Sequence, residues 1–198
     1  MPKRSATAVA GTRAEVLERA VLDASVQGLE GLTIGRLADQ LEMSKSGLFG
    51  LFGNKQSLQL ATMSAAMDDF RREVWEPVQE VEPGLRRLLA LSDRWLGYHE
   101  RESLPGGCFM TTAMVEFDAR PGAVHDAVAE VVRRWLSLLE HEAARAIEAG
   151  ELPSGTDPRQ VAFELNSLAS GASCNYTLTK DPAVFELARE AMRRALAR

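Results

Sequence analysis

The segment EMSKSGLFGLFG, residues 42–53, most strongly constrains what this chain can fold into. Its three glycines disfavour a helix, because a glycine in a helix interior costs about 1 kcal/mol relative to alanine. Its four large apolar residues do not alternate with polar ones, as a half-buried strand would require. We therefore expect contacts with other parts of the chain to hold this segment in its structure.

Preferred helix-capping residues divide the region around this segment into short elements. They predict a helix over 33–42, a very short helix that ends by Gly53, and a further helix that begins at Lys55. The predicted N-caps are Thr33, Ser44 and Asn54. Two short helices joined by a tight turn have the dimensions of a helix-turn-helix, whose second helix enters the major groove of DNA.

A helix preceding this pair would complete a three-helix unit. Thr12 and Glu15 have the spacing of a capping box, and the apolar periodicity that follows predicts a helix over 13–27 that stops near Gly28. In the short helix and the turn before it, we expect Met43, Leu48 and Phe52 to face the first two helices. This packing would hold a helix that propensity alone does not favour.

The rest of the chain is also predicted to be helical, with proline and glycine at the boundaries. Pro121 is placed in the first turn of a long helix that reaches Ala149, and Asp-Pro pairs at 157–158 and 181–182 are expected to start the last two helices. The whole sequence predicts an all-α fold of about nine helices without an internal repeat. We divide it into an N-terminal domain that carries the helix-turn-helix, 1–55, and a larger helical domain, 56–198.

Composition and charge are those of a soluble globular protein, with 198 residues, 45% hydrophobic and 26% charged. The chain has no run of about 18 apolar residues and no secretion signal, so the cytoplasm is the expected location and no membrane partner is expected. Residues 1–60 carry 7 basic against 6 acidic residues, a net of +1, whereas 61–198 carry 16 against 22, a net of −6. Any contact with phosphate is therefore expected in the N-terminal third.

The stretch TIGRLADQLEMSKSGLFGLFGNKQSL resembles the helix-turn-helix signature of the TetR family of transcriptional regulators. The similarity covers roughly residues 10–60, and caps, spacing and aromatic positions agree together. Two positions depart from the family pattern. Glu42 stands where glycine is usual in the turn, so a left-handed backbone is expected there, and Phe49 replaces the usual tyrosine.

The resemblance implies DNA contacts from the helix-turn-helix. Lys45 and Ser46 are expected at base edges, with the lysine favouring guanine, because the first residues of a recognition helix project into the groove. Gly47 and Gly50 would keep the surface thin where the backbone approaches DNA. The full set of expected contacts is Thr33, Arg36, Ser44, Lys45, Ser46, Gly47, Phe49, Gly50 and Lys55. A flexible basic arm from Lys3 to Arg13 is a further candidate for phosphate contacts, and the alternative is a disordered tail without a role.

So short a recognition helix reads too few bases alone, which indicates a homodimer on a palindromic operator of double-stranded DNA. Apolar stripes on the last two helices are the expected dimer interface: Val161, Leu165, Leu168, Ala172, Val184, Leu187 and Ala191. Packing within the monomer is the alternative.

The resemblance also implies a pocket for a small apolar or amphipathic inducer that releases the repressor from DNA. Its expected lining is Trp95, Tyr98, His99, Phe109, Met110, Met114, Phe117, Trp135, Asn166, Asn175 and Tyr176. Residues 56–198 are therefore expected to form a ligand-binding and dimerisation domain.

Patterns typical of enzymes are missing from the sequence. Its three histidines do not form HExxH, and neither a GxSxG elbow nor a phosphate-binding glycine loop occurs. We therefore predict no catalytic activity, no metal site and no cofactor. Two alternatives stay open: a redox-sensing regulator that uses Cys108, and a helical adaptor that binds only protein. The adaptor would leave the caps, glycines and lysines of residues 33–55 without a common explanation.

Overall fold

The computed structural model describes residues 6–197, and within that range the chain forms nine α-helices and no strand. The prediction of an all-α fold is confirmed. The helices are α1 Ala6–Gln27, α2 Ile34–Gln40, α3 Lys45–Phe52, α4 Lys55–Phe70, α5 Leu85–Glu100, α6 Phe109–Phe117, α7 Ala123–Glu148, α8 Pro158–Thr179 and α9 Ala183–Leu196. None of these helices has the length and apolar character needed to cross a bilayer.

The three predicted caps around α3 are confirmed. The Thr33 hydroxyl accepts a hydrogen bond from the Arg36 amide at 3.2 Å, and the Ser44 hydroxyl accepts one from the Gly47 amide at 3.1 Å. Asn54 accepts from the Ser57 amide at 2.8 Å and so caps α4. Each bond satisfies a backbone donor that a helix start would otherwise leave unpaired.

Three predicted boundaries are wrong. Helix α1 already includes Ala6, so Thr12 lies inside the helix and does not start it. Pro121 precedes the cap residue Gly122, whose φ of 140° is a conformation suited to glycine, and α7 begins only at Ala123. In the last helix Pro182 occupies the cap position and Asp181 accepts a hydrogen bond from the Ala183 amide, which moves the start by one residue.

The end of α4 is irregular. One π-helical turn, Arg71–Trp75, and a short 3₁₀ turn, Glu76–Val78, follow its last α-helical residue. Such π turns often occur beside functional sites. Here the turn begins directly after Phe70, whose ring belongs to the aromatic cluster described below.

Two clusters of buried apolar side chains form the core. The first joins α1–α4 to α6 and to the first turns of α7, with Phe109, Phe117 and Val128 among its members. The second joins α5, the carboxyl half of α7, α8 and α9 around residues such as Leu139, Leu165 and Phe185. Helix α6 is therefore part of the core that supports the N-terminal helices, although it begins at Phe109 and the last of them, α4, ends at Phe70.

Candidate functional site

Helix α3 presents one face to the core and the other to solvent. Leu48 and Phe52 are buried in the first cluster, whereas Phe49 is 58% exposed. All nine positions expected to contact DNA are exposed: Thr33, Arg36, Ser44, Lys45, Ser46, Gly47, Phe49, Gly50 and Lys55. The short helix is thus held by its apolar face and offers its polar and glycine positions outward.

The turn that leads into α3 has the backbone expected from the sequence. Glu42 has φ 52°, the left-handed conformation that non-glycine residues adopt at a cost. Its carboxylate adds a negative charge to the edge of the exposed face. Arg13 does not belong to a flexible arm, because it lies in α1 with its guanidinium 5.3 Å from the centre of the Phe52 ring. Lys3 and Arg4 lie outside the described residues.

The glycines of α3 differ in what their neighbours require. A Cβ at Gly47 would lie 2.9 Å from the Ser44 hydroxyl oxygen, so the N-cap favours glycine there. A Cβ at Gly50 would meet no heavy atom within 4 Å among the described residues. Packing within the chain therefore gives no reason for Gly50, although it destabilises the helix.

The Lys55 ammonium group already has partners. It donates hydrogen bonds to the Glu30 carbonyl oxygen at 2.6 Å and to the Glu30 carboxylate at 2.8 Å. Gln59 donates to the same carboxylate at 2.9 Å. Both hydrogen bonds lower the pKa of Glu30, and the one from Lys55 has the larger effect. Lys55 is exposed, but any phosphate would compete with Glu30 for its charge.

Glu116, near the end of α6, binds the turn between α1 and α2. Its two carboxylate oxygens accept hydrogen bonds from the backbone amides of Leu29 at 2.7 Å and Glu30 at 3.0 Å. The approach needs glycine at position 28, where φ is 74° and a Cβ would lie 2.4 Å from a Glu116 oxygen. The sequence reasoning missed Glu116, because its partners lie 86 and 87 positions away and no motif connects them.

A cavity of about 90 Å³ lies between α4, α5, α6, α7 and α8. Seven of the residues expected to bind a ligand line it: Trp95, Tyr98, Phe109, Met110, Met114, Trp135 and Asn166. Further lining comes from Ala66, Met67, Phe70, Leu104, Cys108, Thr111, Val131, Val132 and Ser170. Among the described residues that form these walls, none is an aspartate, glutamate, lysine, arginine or histidine.

Four residues expected in the lining do not reach this cavity. His99 is buried elsewhere in α5, and Phe117 belongs to the first core cluster. Asn175 is exposed and donates a hydrogen bond to the Gly171 carbonyl group, and the Tyr176 hydroxyl donates to Glu102 at 2.8 Å. All four lie on helices that also line the cavity, but these four positions do not reach it.

Aromatic rings pack edge to face at one end of the cavity. The ring centres of Trp95 and Trp135 are 4.8 Å apart, and Phe70 lies 5.2 Å from Trp135. The Tyr98 hydroxyl donates to Asp69 at 3.4 Å, and burial, followed by the charge of Asp69, raises the pKa of Tyr98. Both indole nitrogens are buried, and neither has a hydrogen-bond partner in the part of the chain that is described.

Cys108 lines both the cavity and a neighbouring groove that also contains Cys174. Both cysteines are free thiols, and burial raises the pKa of Cys108. At neutral pH the Cys108 sulfur is therefore held in its protonated form, which is the less reactive one. This environment does not favour a redox sensor.

The apolar stripes expected to form a dimer interface are mostly turned inward. Val161, Leu165 and Ala172 are buried in the second core cluster, so they are not available to a second chain, and this part of the prediction is corrected. Leu168, Val184 and Ala191 are only partly accessible. Leu187 alone of the predicted set is largely exposed, at 71%. Phe163 and Leu178 of α8 are 63% and 87% exposed and were not predicted.

Comparisons with known proteins agree with this architecture. Residues 84–192 match the family model of the tetracycline repressor-like C-terminal domain. A TetR-family regulator from Cytophaga hutchinsonii superposes with a TM-score of 0.83 over 99% of this chain and 97% of its own, at 22% identity. One from Chloroflexus aurantiacus has a TM-score of 0.86 over 94% of both chains, also at 22% identity. AibR, in a complex with isovaleryl coenzyme A and operator DNA, has a TM-score of 0.70 at 22% identity over 91% of this chain and 95% of its own. No curated protein sequence matches.

An exposed helix-turn-helix on a cavity-bearing helical body defines the class of ligand-responsive transcriptional regulators. The chain belongs to the TetR family within that class, since the family model matches more than half of its length. The family resemblance noted on residues 10–60 is thereby confirmed from the other end of the chain.

Proposed function

We propose that the protein is a repressor that binds a palindromic operator as a homodimer and leaves it when a small molecule occupies the cavity. The observation that carries the proposal is α3, whose apolar face is buried while Lys45, Ser46 and Phe49 are exposed. The similar fold of AibR, which was determined with a ligand and operator DNA together, supports both parts. Because the proposed target is chromosomal DNA, the cytoplasm is the proposed location.

In the proposed complex, Lys45 and Ser46 contact base edges, and the other exposed positions contact the DNA backbone. Gly50 lets the α3 backbone approach the groove closely, which accounts for a glycine that no neighbour in the described chain requires. Lys55 exchanges the Glu30 carboxylate for a phosphate group. We expect this exchange to make its net contribution smaller than that of a free lysine.

Dimerisation is proposed through the outward faces of α8 and α9. Phe163, Leu178 and Leu187 would leave water when these helices pack against their counterparts in a four-helix bundle. The buried stripes on the same helices hold the monomer together and so fix the orientation of the outward faces. A symmetric pairing would present α3 twice, as a palindromic operator requires.

Coupling between cavity and DNA is proposed to run through α6. Met110 and Met114 line the cavity, and Glu116 on the same helix holds the α1–α2 turn. A ligand that displaces the methionines would shift α6 and with it the support of the N-terminal helices. The ligand weakens DNA binding by the difference between its affinities for the two arrangements.

The test is a gel shift with the DNA that flanks the protein's own gene, at several salt concentrations. Binding should weaken steeply with salt, as expected for phosphate contacts. Lys45→Ala should lose discrimination between sites, and Lys55→Ala should weaken all sites similarly. Lys180→Ala is the matched control, because Lys180 is an exposed lysine at the far end of α8. Equal effects of the Lys45 and Lys180 variants would contradict the assignment.

A further inference from the structure

The helix-turn-helix and the start of α4 carry no net charge. Residues 30–56 contain three basic and three acidic residues, and the basic ones include Lys45 and Lys55. Binding to DNA without sequence preference depends on basic side chains that neutralise phosphates. Acidic residues on the same surface oppose this attraction, so the positions of these carboxylates affect how tightly the surface holds any DNA.

Glu30 is held beside Lys55 by several neighbours. Lys55 donates a hydrogen bond to one carboxylate oxygen at 2.8 Å, and the Gln59 side chain donates to the other at 2.9 Å. The backbone amide of Glu30 donates to Glu116 at 3.0 Å. Exposed ion pairs usually contribute little, because two long side chains must be ordered to form them. Since Gln59 is buried and already orders this carboxylate, the pair with Lys55 should be stronger than most exposed pairs.

Glu42 places a second carboxylate next to the start of α3. Its φ of 52° is a conformation that a glycine adopts without steric cost. Glu42 is exposed, and together with Ser44 and Gly47 it lines a groove beside the first turn of α3. Glu15 of α1 lines the same groove. The backbone of this turn does not require the charge of Glu42, and that charge repels phosphates at this edge of the surface.

We propose that Glu30 and Glu42 are autoinhibitory residues that lower the affinity of the helix-turn-helix for DNA of any sequence. Glu30 competes with phosphate for Lys55, and Glu42 repels phosphates beside α3. The inference rests on the proposed DNA contacts and identifies what limits their strength. Both carboxylates act on affinity alone, and discrimination between sites is left to Lys45. With a lower affinity for DNA, a smaller ligand effect is enough to empty the operator at a given protein concentration.

The test is fluorescence anisotropy of the full-length protein with two labelled duplexes, at salt concentrations between about 50 and 300 mM. One duplex is the DNA that flanks the protein's own gene, and the other is a scrambled sequence of equal length. Glu30→Gln should lower both Kd values about threefold per protomer, or about tenfold for a dimer, because Lys55 no longer gives up an ionic partner. The slope of log Kd against log salt should steepen by about one per protomer, since no bare carboxylate takes up a cation.

Glu42→Gln should have a different dependence on salt. It removes a repulsion without adding a phosphate contact, so both Kd values should fall about twofold per protomer at low salt. The gain should disappear as salt screens the charge. The ratio of the two Kd values should stay the same in this variant and in Glu30→Gln, whereas Lys45→Ala should change it.

Glu102→Gln is the matched control. Glu102 is also exposed, has φ 50° and pairs with a lysine, Lys180 at 3.0 Å, but it lies between α5 and α6. The substitution removes the same charge from the chain and should leave DNA binding unchanged. An equal gain from Glu102→Gln would overturn the proposal, because net charge would then explain the effect.

The direction of the change separates autoinhibition from a structural role. A residue that only stabilises the fold gives unchanged or weaker binding when it is replaced, so the absence of a gain in Glu30→Gln or Glu42→Gln would overturn the role of that residue. A gain confined to one duplex would overturn the claim that the carboxylates act on DNA of any sequence. Equal binding of both duplexes by the wild-type protein would instead count against operator recognition, and the effects of the two carboxylates would still be measured on either duplex.

Discussion

Removal of the Glu116 carboxylate should loosen the turn between α1 and α2. The carboxylate accepts two backbone hydrogen bonds, at 2.7 Å from Leu29 and 3.0 Å from Glu30. Hydrogen bonds to charged acceptors contribute about 1.5–3 kcal/mol each, and the partial exposure of this pair favours a lower combined value. We expect Glu116→Ala to lower the free energy needed to open the turn by about 2 kcal/mol.

Hydrogen exchange measured by NMR reports this opening at the two amides themselves. A change of about 2 kcal/mol corresponds to roughly thirtyfold faster exchange of the Leu29 and Glu30 amides. Glu116→Gln should give an intermediate rate, because its amide oxygen still accepts a hydrogen bond without the charge. If α6 carries the ligand signal, the Glu116→Ala variant should also show a smaller ligand effect on operator affinity.

Glu130→Ala is the matched control for this prediction. Glu130 lies on the surface of α7, where it pairs with Arg133 and Arg134. Its loss should leave the exchange of the Leu29 and Glu30 amides unchanged. Wild-type exchange rates in Glu116→Ala would refute the idea that this carboxylate holds the turn.

Three further substitutions test other parts of the account. Gly50→Ala should stabilise the fold to urea by about 1 kcal/mol and still weaken operator binding, whereas Gly97→Ala in α5 should leave binding unchanged; unaltered binding by the Gly50 variant would contradict the proposed close approach. Burial lowers the pKa of His99 from its ordinary 6.5 to about 4. As the pH falls from 7 to 4 the unfolded state takes up this proton first, so the His99 contribution alone should lower the stability of the wild-type protein by about 3 kcal/mol. Urea titrations should show that His99→Leu lacks that part of the acid sensitivity, and an identical pH profile would argue against it. Leu178→Asp should shift sedimentation from dimer to monomer at micromolar concentration, and Val115→Asp, which changes an equally apolar exposed site on α6, should not.

Local chemistry made the helix starts around α3 predictable. Thr33, Ser44 and Asn54 each satisfy a backbone amide within three residues, so no distant information is needed. The left-handed Glu42 was likewise expected from the resemblance alone. The boundary prediction at Thr12 was wrong because a good capping signal lies inside a helix that already includes Ala6.

The outward face of α8 shows what periodicity could not decide. Val161 and Leu165 form a regular apolar stripe, but such a stripe marks burial and does not say whether the partner is the same chain. The informative residues were Phe163 and Leu178, which are apolar yet lie off that stripe. A large apolar residue on the polar face of a helix was the available signal.

Long-range contacts lie beyond this kind of sequence reasoning. In the sequence, nothing distinguishes Glu116 from other acidic residues near a helix end. Only the fold shows that its carboxylate accepts a hydrogen bond from the Leu29 amide. The cavity could be predicted in part, because aromatic and methionine residues are concentrated in α5–α7. How far it extends along each helix depends on tertiary packing, so Trp95 lines it and His99, one turn later, does not. Composition predicts which helices line the cavity, whereas tertiary packing decides which of their residues reach it.

Selection by the purified protein from a pool of random DNA duplexes, followed by sequencing of the retained molecules, tests most directly whether α3 reads DNA. We expect an enriched inverted repeat, with half-sites about one helical turn or a multiple apart and a guanine in each half-site opposite Lys45. Retention without any enriched sequence, or enrichment of a single unrepeated motif, would contradict the claim that α3 is presented in duplicate to read DNA.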